Sequence, residues 1–457
     1  MRLAVVLVPM LLPGILAAQD SSATTSAEEE SFRVYTEAPR LFLNARRSRL
    51  LKRERERESI RWQQFELLMT GGAAMPEPGF ANALFYRVTG DAQAARRAIE
   101  WALTSDADLR QQAIIYDWCF DALTASQSET LRTKLTQSLD WTAHATDLPT
   151  VRSRALAAIA LAGEDADLAE RVLRGIVQEW WRSSVSEDLK RGRVPFQPDD
   201  TLALLELLHA IRDNLKIDLR DSAPRFFKNL PAFELLRHYP SPWPAPENEY
   251  RIPMYSGKKD PDLRLSALAR AAELALVAYD TNATEHQFVQ GWLIHDRFLM
   301  RSPFGIPYEF LWANPYQPGL SYSHMPLSFH DPEREGGALL ARSTWDEDAS
   351  WFGYVDGQIQ WFTQGRRTEL SLEALKQPLR LGSIGITSRP DFTAGSDAPE
   401  TVYFIGLKPR AFYQVEVDGA EKREEQADAG GILALKLPSR TAKSVRVRLT
   451  PRSPSHK

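Results

Sequence analysis

The sequence has a single cysteine, Cys119, in 457 residues. That excludes an internal disulfide, a multi-cysteine zinc cluster and a CxxC redox pair. Surplus charge is also lacking: 56 Lys and Arg stand against 60 Asp and Glu, a formal net charge of −4. Binders of nucleic acid or anionic lipid carry a basic excess, so neither partner is indicated. Beyond the N-terminus no apolar run is long enough to span a bilayer, so no integral membrane segment is expected in the mature chain. Histidine is scarce, with eight in all, and none lies between Asp331 and Ser455. There is no HxH, HExxH or EF-hand pattern, no phosphate-cradling glycine loop and no GxSxG elbow, so neither metal nor cofactor is expected. What is present is ordinary for a large globular core: 43% hydrophobic and 25% charged residues.

The N-terminus reads as a targeting segment. Met1-Arg2 is basic, Leu3 to Ala18 is apolar and uncharged, and small residues precede Gln19-Asp20. This is the pattern of a cleaved signal peptide over residues 1–18, which implies a secreted or periplasmic protein. Residues 19–36, with the polar run SSATTSAEEE, are expected to be a disordered mature N-terminus.

From about Leu41 to about Arg301 the apolar spacing is helical. Leu109, Ala113, Tyr116, Phe120 and Leu123 fall on one stripe, and Leu204, Leu208, Ile211 and Leu215 on another. Turn or start signals such as Thr89-Gly90-Asp91, Gly163-Glu164-Asp165 and Pro198-Asp199-Asp200 separate the stripes. Ten or eleven helices follow, many joined by short turns. Asp199-Asp200 is either a paired-carboxylate site or the head of a helix, where Asp is favoured. His209 reads as a core histidine. Two long loops, rich in proline and aromatics, run from Lys228 to Pro261 and from Ser302 to His330. From Ala338 the period changes to two. Strands are expected around Leu339–Arg342, Ser350–Val355, Gln358–Phe362, Val402–Leu407, Phe412–Val417, Ile432–Leu437 and Val445–Leu449. Val355-Asp356-Gly357-Gln358 and Val417-Asp418-Gly419-Ala420 are hairpin signals.

Three stretches carry a family resemblance. Leu84-Phe85-Tyr86-Arg87-Val88-Thr89-Gly90-Asp91 with Ala98-Ile99-Glu100-Trp101 is one, and Tyr116-Asp117-Trp118-Cys119-Phe120-Asp121 is the second. Leu339 to Asp346 (LLARSTWD) with Ala349-Ser350-Trp351 is the third. The chain resembles the heparinase II/III-like polysaccharide lyases. The resemblance implies an incomplete (α/α) toroid of about ten helices over residues 37–301 and an aromatic-rich linker over 302–335. A small antiparallel β-sandwich over 336–451 and a tail over 452–457 complete the expected organisation.

The resemblance also implies a chemistry, β-elimination on a uronate-containing polysaccharide. One group must hold the uronate carboxylate, a base must take the proton beside it, and an acid must protonate the leaving oxygen. In the family an Asn or His fills the first role and a Tyr with a His the others, one His coming from the sandwich. This chain has no histidine there; the corresponding strand reads Gly365-Arg366-Arg367-Thr368-Glu369, whose arginines look solvated. The residues available are Tyr250 and Tyr255 as base and His324 as the substitute histidine. Asn248 and Arg251 are candidates for the carboxylate, and Trp243, Trp312 and Tyr322 for stacking against sugar rings. The alternative is a non-catalytic glycan-binding or cell-envelope structural protein on the same scaffold, with the loop aromatics packing the two halves together.

Overall fold

The computed structural model describes residues 30–139, 147–244, 251–296, 302–395, 397–419, 421–437 and 444–452. The expected signal segment, Asn248, Tyr250 and the end of the tail lie outside the described residues. From Phe32 onward the chain forms one unit.

Polar start signals set the helices. Asn44, Ser59, Asp91, Asp108, Thr124, Asp147, Asp165 and Asp262 each accept a backbone N–H of the following turn. The helices, capped in this way or not, are α1 (Ala45–Glu56), α2 (Ile60–Thr70), α3 (Pro78–Thr89), α4 (Ala92–Leu103), α5 (Leu109–Trp118), α6 (Ala125–Ser138) and α7 (Leu148–Leu161). They continue with α8 (Ala166–Arg174), α9 (Ser186–Lys190), α10 (Thr201–Leu215), α11 (Pro224–Leu236), α12 (Leu263–Tyr279), α13 (Thr284–His295) and α14 (Ile306–Trp312). A π-helical stretch, Gly175–Val185, joins α8 to α9. Asp199-Asp200 lies in a short 3-10 turn ahead of α10, where Asp200 accepts the Gln197 amide.

Composition sorts the helices into two layers. In α5 and α10 nearly every residue is buried, and in α7 most are, so these helices are enclosed most of the way round. In α4 only Ala94, Ala95, Ala98, Ile99 and Ala102 are buried, a single face. Accordingly α3, α5, α7, α10, α12 and α14 pack in succession and α14 returns to α3, closing a ring, while α4, α6, α8 and α13 lie against its outside. The Tyr116-Asp117-Trp118 motif tethers the incoming chain to this ring. The Asp117 carboxylate accepts the amides of Arg40 and Leu41 at 2.8 Å, and Trp118 Nε1 donates to the Leu41 carbonyl at 2.8 Å.

Four of the inner helices are joined near their N-terminal ends by a buried charge network. Arg110 of α5 donates to both oxygens of Glu206 in α10, at 2.5 and 2.9 Å, and to Glu77 ahead of α3 at 3.1 Å. Arg152 of α7 pairs with the other side of Glu206, and Tyr308 of α14 donates to Glu77. Glu206 is fully buried, so two guanidiniums and a cluster of hydrogen bonds are what make its charge tolerable there.

The β part is three sheets in layers. β1 (Ser328–His330), β2 (Ala338–Arg342), β3 (Trp351–Val355), β4 (Gln358–Thr363) and β5 (Arg366–Glu369) form an antiparallel sheet in chain order. Next come β6 (Leu379–Leu381), β7 (Ile384–Thr387), β8 (Asp391–Ala394), β9 (Thr401–Phe404), β10 (Phe412–Val417), β11 (Glu421–Gln426), β12 (Leu433–Lys436) and β13 (Val445–Pro451). They make two further sheets, β12-β9-β7-β6 and β11-β10-β13-β8. Leu339, Phe352 and Tyr354 of the first sheet pack on Leu381, Ile386 and Tyr403 of the second. Val402, Phe404 and Leu433 on its other face pack on Val415, Val447 and Leu449 of the third. Both expected hairpin turns form with left-handed pairs, Asp356-Gly357 (φ 49° and 82°) and Asp418-Gly419 (φ 51° and 75°).

Several expectations are corrected. The sandwich has a third sheet and one parallel pair, β7 with β9. The linker over 302–335 is not a linker throughout: α14 completes the ring and β1 opens the first sheet. Residues 19–36 are not all loose, since Phe32 is fully buried with the Arg174 guanidinium 4.9 Å from its ring. Pro231 sits inside α11 rather than ending it. The buried face of Phe227, Leu230, Phe233 and Leu236 outweighs the one hydrogen bond that a proline removes.

Candidate functional site

The proline-rich loop after α11 is pinned at its base. Tyr239 N donates to the Ile252 carbonyl at 3.0 Å and Met254 N to the Arg237 carbonyl at 2.7 Å. These two rungs close the base of the loop. Its return limb lands on the first sheet. Tyr239, fully buried and stacked 4.8 Å from Phe362, donates its hydroxyl to Gln360 Oε1 at 2.7 Å and accepts the Tyr255 amide at 3.0 Å. Gln360 Nε2 then donates to the Tyr255 carbonyl at 2.7 Å.

Arg367 completes this contact. In β5 it lies opposite Phe362, and the strict alternation of a strand turns both toward the loop. Its guanidinium donates to the carbonyls of Tyr255 and Gly257. It lies 5.3 Å from the Trp243 ring and 5.6 Å from the Tyr255 ring. Those two rings are 6.2 Å apart and both are half-buried. Gly257 lets the Tyr255 ring lie where it does, because a Cβ at that position would stand 1.9 Å from the Tyr255 hydroxyl and push the ring aside. The helical and stranded halves thus bring two aromatic faces against a cation that also lies 3.4 Å from Glu369. The arginine was read from sequence as solvated, yet its side chain is only 13% exposed. The signal that could have found it is register: position 367 shares a sheet face with the apolar Phe362.

A second group surrounds Arg251. Arg251 Nε is 2.8 Å from Asp296, its Nη2 is 3.1 Å from Glu347, and Arg270 pairs with the other oxygen of Asp296. Tyr322 lies beside this network, with its ring 5.2 Å from both His295 and Trp345. Burial pushes its hydroxyl above the ordinary tyrosine value, while Arg251 and Arg342 pull the other way. His324, two residues on in the same 3-10 turn, is exposed. Deeper, His238 Nε2 lies 3.4 Å from Glu273 Oε1. Burial holds His238 well below the usual imidazole range and Glu273 well above the usual carboxylate range.

Of the sequence candidates, Trp243 meets Tyr255, and Arg251 stands beside Tyr322 with His324 on the same turn. Trp312 belongs elsewhere. It ends α14, is 2% exposed, and carries Arg47 at 4.2 Å over its ring. Its other neighbours are Phe42 at 5.3 Å and His209 at 4.5 Å, and His209 in turn bonds the Ala275 carbonyl, as a core histidine does. A loop aromatic was expected at 312; a residue ending an inner helix was found. Among the described residues no three His, Cys, Asp or Glu side chains gather as a metal site, and no helix is long and apolar enough to cross a membrane.

No family model matches the chain, and no curated protein matches it. Among solved structures, one described as a glycoside hydrolase is similar over 82% of this chain and 71% of its own length. The identity is 8% and the TM-score 0.31, a likeness too slight to carry any argument about this chain.

Proposed function

We propose that this chain is a carbohydrate-active protein whose ligand is a uronate-containing glycan, taken up where the proline-rich loop meets the first sheet. The observation that carries the reading is the convergence of Trp243 and Tyr255 with Arg367 from the stranded half. Two aromatic faces suit the apolar C–H surface of sugar rings, and a guanidinium suits a carboxylate. In a β-elimination, Arg367 stands where the resembling family uses a histidine and would lower the cost of enolate-like charge. Tyr255 or Tyr250 takes the proton, Asn248 shares the carboxylate, and His324 serves the leaving oxygen. Export through the segment 1–18 belongs to the same proposal.

A second reading, glycan binding without cleavage, is favoured by two specific observations. Arg251 is already matched by Asp296 and Glu347, and no histidine occurs from Asp331 to Ser455. The experiment is incubation with a panel of uronate polysaccharides while the ultraviolet absorbance of the unsaturated product is followed. A rise that Tyr255→Phe reduces by about a hundredfold to ten-thousandfold supports cleavage with that tyrosine as proton carrier. A flat trace with retention on one glycan leaves the binding reading. Neither signal removes both.

A further inference from the structure

The other mouth of the ring, formed by the C-terminal ends of α10, α12 and α14, holds a cavity of about 680 Å³. That volume is within the range of small-molecule sites. The first three turns of α1 form one wall. Arg46, Arg49 and Arg53 are spaced three and four residues apart, so they fall on one helix face, and all three are exposed. Arg47 and Arg212 add two more guanidiniums, lying over Trp312 at 4.2 Å and over Tyr279 at 3.6 Å.

The described lining contains five arginines and no carboxylate. Asp213, outside the described lining, pairs with Arg212 at 3.3 Å and accepts from Asn44 at 3.3 Å, and no described ion pair joins it to Arg46, Arg49 or Arg53. The N-terminal end of α1 adds its own positive potential at this wall. Burial pulls the Arg47 guanidinium down to about 10, with Arg212 and Arg46 pulling the same way against Asp213. An anion in the cavity would relieve that crowding.

Two residues of the lining each hold a buried polar atom with no described partner. Trp312 Nε1, on a side chain 2% exposed, is buried without a hydrogen-bond partner. Gln317 Oε1, on a residue 8% exposed, is likewise unmatched, although Gln317 Nε2 donates to the Thr281 carbonyl at 3.4 Å. Buried polar groups are rarely left unmatched without reason. One is a donor and the other an acceptor, a pair that a ligand carrying both an acceptor and a hydroxyl would match. Tyr316, 48% exposed with Arg53 at 5.6 Å, gives the rim an aromatic face.

We propose that this cavity binds a small hydroxylated anion, a sugar bearing a phosphate or a carboxylate. The anionic group sits against the α1 arginines and a hydroxyl reaches Gln317. This site is independent of the glycan reading at the loop, and its test does not use cleavage.

The test is calorimetric titration of the full chain with glucose 6-phosphate, glucuronate, inorganic phosphate and glucose. One or both sugar anions should bind at least about tenfold more tightly than glucose and than inorganic phosphate, and more weakly as salt is raised. The tighter of the two arms tells phosphate from carboxylate. Arg46→Ala with Arg49→Ala, both exposed, should weaken binding by about tenfold or more. Trp312→Phe, which keeps a ring and removes the donor, should weaken it as well. Inorganic phosphate binding as tightly as the sugar anions would overturn the hydroxyl contact. No binding of either sugar anion, or binding unchanged in the arginine double variant, would overturn the site.

Discussion

The two mouths of the helical ring are both built around arginine, and they use it in opposite ways. At the N-terminal mouth Arg110 and Arg152 are matched by Glu206 and Glu77, with Tyr308 closing the network. At the C-terminal mouth Arg46, Arg47, Arg49 and Arg53 line a cavity that has no described carboxylate. The residue type is the same; the partner decides the role. Where carboxylates are supplied from neighbouring helices, arginine holds the ring together. Where they are withheld, positive charge is left standing in a concave space, and the fold has to tolerate it for something other than cohesion.

The hardest way to break this comparison is to remove the carboxylate that the N-terminal network centres on. Burial alone would push Glu206 up, but Arg110 and Arg152 outweigh it and hold the carboxyl below its ordinary value. A depressed native value means the stabilisation is present above the unfolded value and is lost as pH falls through the native one. Glu206→Ala leaves Arg110 buried and half-matched, a defect that costs about 3–5 kcal/mol. Urea denaturation at pH 7 measures it. A loss under about 1 kcal/mol would mean the network is not what closes the ring.

Asp117, near the C-terminal end of α5, tests the other end with the opposite sign. Burial raises its carboxyl to about 6, despite the amides of Leu41 and Arg40 and the Arg40 guanidinium, which all favour the charged form. The native state therefore binds a proton that the unfolded chain has already released. Stability from this group falls as pH rises from about 4 to about 6, by on the order of 3 kcal/mol at most. Asp117→Asn keeps an oxygen for the two amides and removes the charge. The variant should exceed the parent in stability at pH 7, and the gap should close on acidification to pH 4. A gap that does not vary with pH would show that the carboxyl is not carrying this penalty.

The same contrast explains how far the sequence could be read. Helices then strands followed from the change of apolar period, and the hairpins from Asp356-Gly357 and Asp418-Gly419, because these are local signals. The short inner helix α14 did not, since Pro303, Gly305, Pro307 and Pro315 crowd its seven residues. Pro307 is harmless where it stands, in the first turn, where no N–H is needed. Trp312 was chosen for its aromatic character, and a stripe argument could not place it beside Arg47, 265 positions earlier in the chain. Arg367 was hidden for a related reason: two arginines on a short strand look solvated until the register with Phe362 is known. Long-range pairing of charge, and its deliberate absence, is the part that a single sequence does not display.

The smallest expected effect is the sharpest test of the division. If the α1 arginines do not hold the ring together, deleting them should barely move its stability. Arg46 and Arg49 are exposed and make no ion pair among those described. Replacing both with alanine also raises helix propensity slightly at each position. Thermal and urea unfolding should therefore shift by no more than about 0.5 kcal/mol, in either direction. Relief of mutual repulsion around Arg47 favours a small gain, which should fade as salt screens the charges. A loss of about 2 kcal/mol or more would make these arginines cohesive after all, and the two mouths would then differ only in geometry.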